Sequence, residues 1–206
     1  MGCSLASNSL LFTSSGVTLA SETASSSLLG ISKHAKDAKV VLLGESGVGK
    51  SSLALRFCQG RFSPFHEVTI GAAFLQQTIL LSDGRHLKLH IWDTGGQERF
   101  RSIAPLYYND VDGAVIVYDS NYLPSFEAIK YWISELRNNG PANCCLVVAA
   151  NKSDLAERQV STIDGKEFCK SESISFVECS AKNGENVGSI FEEVAKQITI
   201  RNDQRG

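Results

Sequence analysis

The 206-residue chain is long enough for one full domain of about 150 residues and leaves little for a second. Its 43% hydrophobic and 20% charged residues support a packed core and exclude a wholly disordered or collagen-like chain. Twenty Lys and Arg against 22 Asp and Glu give a net charge of −2, so no nucleic-acid-binding face is expected, and the six cysteines show no C-x-x-C pair or His at zinc spacing.

Residues 1–32 carry one charge, Glu22, among many Ser and Thr, and read as a flexible tail. The segment lacks the basic start and compact apolar run of a secretory signal, and no Arg precedes Arg56, which disfavours organelle import. No window of about 18 apolar residues is long enough to cross a membrane. The expected division is a tail over 1–37, a folded domain over 38–202 and a short tail over 203–206.

Val40-Val41-Leu42-Leu43 is a short apolar run of the kind found in a parallel strand covered on both faces. A helix is predicted from Gly49 to Cys58, then strands from Ala73 to Leu81 and His86 to Asp93 around the hairpin dipeptide Asp83-Gly84. In the second of these, Leu87, Leu89 and Ile91 share one face and Lys88, His90 and Trp92 the other, which puts Trp92 outside. Further strands are predicted at Ala114–Tyr118, Leu146–Ala150 and Ile174–Val177, separated by helices near Ser125–Asn138, Asp164–Ser171 and Val187–Ile200. Such alternation implies an α/β fold with a mostly parallel sheet and one antiparallel edge, whose ligands sit beyond the carboxyl ends of the strands.

The loop after the first strand, Gly44-Glu45-Ser46-Gly47-Val48-Gly49-Lys50-Ser51, fits the phosphate-binding pattern G-x-x-x-x-G-K-[ST]. Its glycines turn successive N–H groups toward one point, and the following helix aims its positive end there. Lys50 adds charge for the β and γ phosphates, and Ser51 offers an oxygen to Mg²⁺. Asn151-Lys152-Ser153-Asp154 follows a later strand; the Asp154 carboxylate can accept from N1–H and the N2 amine of guanine, whereas adenine would leave it unpaired. N-K-x-D is short, and its weight comes from joint order with the P-loop, Asp93-Thr94-Gly95-Gly96-Gln97 and Ser180-Ala181-Lys182, each after a predicted strand.

With these motifs in order, the chain from Lys39 to about Ile200 resembles a small Ras-superfamily GTPase of the Rab family, a P-loop NTPase G domain with a six-stranded sheet and helices on both faces. Ile70-Gly71-Ala72-Ala73-Phe74, Ile91-Trp92-Asp93-Thr94 and Ser102-Ile103-Ala104-Pro105-Leu106-Tyr107-Tyr108 are especially similar to the early-endosomal, fifth Rab subfamily. The resemblance implies a nucleotide site of Glu45, Ser46, Gly47, Val48, Gly49, Lys50, Ser51, Ser52, Phe62, Thr69, Gly96, Asn151, Lys152, Asp154, Ser180, Ala181 and Lys182. Phe62 would lie against guanine and the Ala181 N–H would meet its carbonyl. Ser51 and Thr69 would ligate Mg²⁺, with Asp93 acting through water, and Gly96 would give its N–H to the γ phosphate. Catalysis would rest on Gln97, which orients the attacking water, with Lys50 and Thr69. No Arg in the motifs matches an in-cis finger, so turnover is expected on the order of 10⁻⁴ s⁻¹, the Ras scale, without an activating protein. Ile70, Phe74, Trp92 and Tyr107 would form an effector surface; without the resemblance, Phe74 reads as core. The family usually has Ala at Gly95, and the Gly pair adds roughly 0.5–1 kcal/mol of ordering cost per glycine.

Rab proteins usually end in prenylated cysteines, yet the chain closes with Asp203-Gln204-Arg205-Gly206. Its start, Met1-Gly2-Cys3-Ser4, is similar to a small group of plant and protist endosomal Rabs acylated at this end, implying myristate on Gly2 and palmitate on Cys3. The myristoylation pattern calls for Ser or Thr at position 6, where the chain has Ala6. The expectation is a monomeric GTP/GDP switch with an exchange factor, an activating protein and effectors. It would work on the cytoplasmic face of endosomal membranes with a cytosolic pool. A nucleotide-stabilised adapter with little hydrolysis is the alternative, and a P-loop ATP-dependent kinase is opposed by Asp154.

Overall fold

Six strands and five helices alternate through residues 36–65, 68–96 and 109–205, the residues described by the computed structural model. Gly2, Cys3, Gln97 and Tyr107 lie outside them. The order is β1 (Lys36–Leu43), α1 (Lys50–Gln59), β2 (Ala72–Leu80), β3 (His86–Thr94), β4 (Gly113–Asp119), α2 (Leu123–Glu127), α3 (Ile129–Asn139), β5 (Cys145–Asn151), α4 (Thr162–Ser171), β6 (Ser175–Glu178) and α5 (Val187–Asp203). The sheet runs β2-β3-β1-β4-β5-β6, with β2 antiparallel to β3 and every other pair parallel. This is the mostly parallel sheet with one antiparallel edge expected from the alternation.

Strand alternation divides the core between the two sheet faces. Val40 and Leu42 of β1 pack with Leu89 and Ile91 of β3 and with Leu53, Phe191 and Val194 of α1 and α5. Val41 and Leu43 point the other way, to Ile116, Val148, Ile129, Trp132 and Leu136 under α3. All seven residues of β4 are buried, as a central strand covered by helices on both faces requires. Burying side chains of this kind contributes about 1.5–3 kcal/mol each. The two helix layers hold β1, β3, β4 and β5 so that their carboxyl ends open on one side, and the loops described below start there.

The observed elements correct three boundaries. The tail was expected to reach residue 37, yet β1 begins at Lys36, paired through Lys36↔Leu87 and Asp37↔Lys88. Backbone pairing outruns the apolar run there, and the exposed Lys36 and Asp37 side chains carry no hydropathy signal. At the other end α5 continues to Asp203, whose carboxylate receives both terminal nitrogens of Arg85 at 2.7 and 2.9 Å. The single helix expected over 125–138 is two, α2 and α3, with Ala128 at φ −68° and ψ −15° tightening the turn between them.

Candidate functional site

The loop from β1 to α1 depends on backbone that only glycine adopts easily. Gly44, at φ +139°, sits so close to Val117 that any Cβ would strike the Val117 carbonyl. Gly49, at φ +97°, abuts the Asn151 amide in the same way and caps α1 with no side-chain hydrogen bond. The first-turn N–H groups of α1 therefore face the loop interior without a capping side chain, the arrangement that receives an anion. Lys50 folds back beneath them, donating from Nζ to the Gly44 and Glu45 carbonyls at 2.8 and 2.7 Å. It is 5% exposed. Burial lowers its pKa to about 8, against the opposing pull of Asp93 and Glu45.

Three oxygens converge beside this lysine. Ser51 Oγ and Thr69 Oγ1 lie 2.8 Å apart, and Thr69 Oγ1 donates to Asp93 Oδ2 at 3.5 Å. Thr94 fixes the end of β3 on β1 by donating from Oγ1 to the Leu42 carbonyl at 2.7 Å. Gly96 closes the wall: a Cβ there would stand 2.5 Å from Lys50 Nζ and from the Glu45 carbonyl.

The far end of the cleft is built from the β5 and β6 loops. Asn151 is buried, and its side chain is committed to protein: Nδ2 donates to the Val48 carbonyl at 2.8 Å, and Oδ1 accepts from the Ala181 N–H at 3.0 Å. The amide that the resemblance assigns to the guanine carbonyl thus donates here to Asn151. Lys152, at φ +67°, pairs with Asp119 at 2.7 Å. Asp154 accepts from Ser180 Oγ at 2.5 Å and has the Lys182 ammonium 3.5 Å from its other oxygen.

These parts line one cleft of about 380 Å³. Every described residue proposed for nucleotide or metal lines it except Glu45, Val48, Asp93 and Ser180. Ser63, Pro64, Val68 and Leu155, which belong to none of the motifs, also line it, as does Thr94, which lies in a motif without an assigned role. Pro64 and Val68 have no motif to mark them, whereas Leu155, next to Asp154, could have been found by adjacency. Of the proposed effector residues, Ile70, Phe74 and Trp92 do not line the cleft. Ile70 is 80% and Phe74 51% exposed, so the reading of Phe74 as core is overturned. Trp92 is half-buried rather than outside, because Phe74 meets it edge-on at 5.4 Å and the Lys39 ammonium stands 5.5 Å over its ring.

Residues 39–200 match the Ras family. The chain belongs to that family. Ras-related protein Rab-5B of Plasmodium falciparum is 60% identical over 171 residues, 82% of each chain. Ras-related protein RABF2a of Arabidopsis thaliana is 46% identical over 163 residues, 79% of this chain and 81% of the relative. GTP-binding protein ypt5 of Schizosaccharomyces pombe is 42% identical over 193 residues, 91% of this chain and 89% of the relative. These relatives make it a Rab5-type chain within the Ras family. It is a small GTPase that binds GTP and GDP, hydrolyses GTP to GDP and phosphate, and acts as a switch in endosomal trafficking through regulators and effectors.

Proposed function

We propose that this Rab5-type GTPase holds its nucleotide along the cleft, phosphates on the Gly44–Ser51 loop and guanine against Asp154. The observation that carries the reading is that Lys50, Ser51 and Thr69, the last backed by Asp93, lie in a single cleft with Asp154. Asp154 is oriented by Ser180 and Lys182, so its carboxylate is fixed before guanine arrives. Adenine would leave that acceptor unpaired, at a cost of about 1–3 kcal/mol or more. Phe62 and Lys152 flank the base, and Ala181 approaches its carbonyl.

The residues also fit Mg²⁺. Ser51 and Thr69 offer hard oxygens 2.8 Å apart, close to the spacing of about 2.9 Å between neighbouring ligands when bonds are 2.0–2.1 Å and octahedral. Asp93 lies behind them, where it can hold a water. Bound there, the ion neutralises charge on the β and γ phosphates. Lys50 contributes a second positive charge, Gly96 gives its N–H to the γ phosphate, and Gln97 orients the attacking water. Catalysis is then positioning and electrostatics, and it is slow until an activating protein adds what the motifs lack.

The folded domain, which spans Lys36–Asp203, acts as a monomer. Phe74, Trp92 and Ile70, with Tyr107, present the aromatic and aliphatic surface for effectors. Acylation of Gly2 and Cys3 anchors the tail to the cytoplasmic face of endosomal membranes, and single-chain molecules supply a cytosolic pool, since one myristoyl chain binds with K of only about 10⁴ M⁻¹. The test of the site is Asp154→Asn in competition binding with GTP, ATP and xanthosine triphosphate. Preference for GTP should fall and acceptance of xanthosine triphosphate should rise, because an amide cannot accept from both guanine donors. Unchanged preference would remove the base assignment.

A further inference from the structure

The two elements that flank the base slot come from opposite ends of the chain, and one side chain joins them. Arg56 lies in the last turn of α1. Its Nε donates to the Ala181 carbonyl at 2.9 Å and its Nη2 to the Lys182 carbonyl at 2.6 Å, 125 and 126 residues away. Its Nη1 donates to the Gly60 carbonyl at 2.8 Å, and the guanidinium carbon stands 5.9 Å from the centre of the Phe62 ring. The same three donors therefore hold the start of the segment carrying Phe62 and two successive carbonyls of the segment carrying Ala181.

We infer that Arg56 is a positioning residue for guanine recognition, acting by fixing the Ala181–Lys182 backbone against the α1 end of the slot. The inference rests on the reading of Asp154, Phe62 and Ala181 as the base site. Ala181 is held through both of its peptide groups, the N–H of one by Asn151 and the carbonyl of the next by Arg56, so the position of the residue between them is set by both. The turn behind it closes on the arginine stem: a Cβ on Gly184, at φ +86°, would stand 3.8 Å from Arg56 Cδ. A planar guanidinium spans three carbonyls with donors in a rigid fork, a task beyond the single ammonium of lysine. Guanine and adenine differ at the position facing Ala181, a carbonyl in one and an amine in the other. A displaced Ala181, whose N–H would be shared between Asn151 and the guanine carbonyl, therefore weakens guanine binding and leaves adenine, which gains nothing from that N–H, almost unaffected.

The test uses the full chain and displacement of a fluorescent GDP analogue by GDP and by ADP, for wild type, Arg56→Gln and Arg56→Lys. In Arg56→Gln the GDP affinity should fall about tenfold, or about 1.4 kcal/mol, with ADP affinity unchanged within about twofold, so that their ratio falls. Arg56→Lys should lose at least about threefold in the same ratio, since charge alone does not restore the fork. Thermal unfolding of each GDP-bound protein establishes that it is folded, and Arg56→Lys carries the test if Arg56→Gln does not fold. Equal losses for GDP and ADP would mean that Arg56 only stabilises the fold, and together with no loss at all they overturn the inference. A wild-type chain that fails to prefer GDP over ADP would instead remove the base site itself, and the inference with it.

Discussion

Lys50 makes the pH dependence of nucleotide binding calculable. Its pKa is lowered from 10.5 to about 8 because burial penalises the charged form more than Asp93 and Glu45 favour it. The 2.5-unit difference corresponds to about 3 kcal/mol, at 1.36 kcal/mol per unit. The sign follows from proton counts. Below pH 8 the ammonium is charged in both the folded nucleotide-free and unfolded chains, and its burial costs that full amount. Between 8 and 10.5 the unfolded chain holds more protons, so the penalty is relieved and stability of the nucleotide-free protein rises with pH. Nucleotide binding runs the other way, since phosphates favour the charged lysine and draw a proton onto it.

The charged fraction of Lys50 drops as the pH rises through about 8, so GDP affinity should fall severalfold between pH 7 and 8.5. Calorimetric titration in two buffers of different ionisation enthalpy should show greater proton uptake on GDP binding at pH 8.5 than at pH 7. Lys50→Arg keeps its charge throughout and serves as the control for titration of the nucleotide. Equal pH slopes and equal proton uptake in wild type and Lys50→Arg would refute the reasoning, because the proton would then belong to another group.

Three further outcomes are expected. Asn151→Ala leaves the Val48 carbonyl and the Ala181 N–H without their partner, so urea unfolding of the GDP form should show a loss of about 2–5 kcal/mol, with faster GDP release by stopped flow. Gln97→Leu should slow single-turnover phosphate release while effector capture persists, since leucine fills similar space but cannot orient water; equal rates with and without an activating protein would make Gln97 a bystander. Gly2→Ala should shift the protein from pelleted membranes to the cytosol, and Cys3→Ser should leave weak, reversible binding, because a lost acyl chain forfeits about 0.8 kcal/mol per buried CH₂. Fractionation with intact-mass measurement of the N-terminus reads both, and membrane retention of Gly2→Ala would place the anchor elsewhere.

The parts of the site that were legible in the sequence are those whose chemistry is local. Gly44, Gly49, Lys50 and Ser51 act through a loop of fixed length between a strand and a helix, so spacing alone carries their geometry. Strand alternation gave the two-faced core for the same reason, since Val40 and Leu42 must point opposite to Val41 and Leu43. The split between α2 and α3 was not legible, because Ala128, which stands between them, is a good helix former with near-helical backbone. Trp92 was half legible: alternation gives its face, but its cover comes from Phe74 on the paired strand and Lys39 on the next.

Least legible were the bonds that bring the motifs into register. Asn151 reads from its motif as a nucleotide contact, yet its amide bridges Val48, 103 residues away, to Ala181. Arg56 belongs to no motif, and Asp119 holds Lys152 from the end of a different strand. Each is a side chain spanning between loops, with a partner set by sheet order rather than by sequence distance. A motif thus states which residue type the chemistry needs, whereas the sheet decides what that residue touches. In this cleft the phosphate end centres on one loop and its lysine, which Asn151 ties through the Val48 carbonyl to the base end. The base end depends on Asn151, Asp119 and Arg56 to keep three separate loops aligned. Substitutions at Asp119 and Arg56 should therefore weaken discrimination between bases before they weaken attachment of the phosphates, whereas Asn151, bonded to Val48 as well, should affect both.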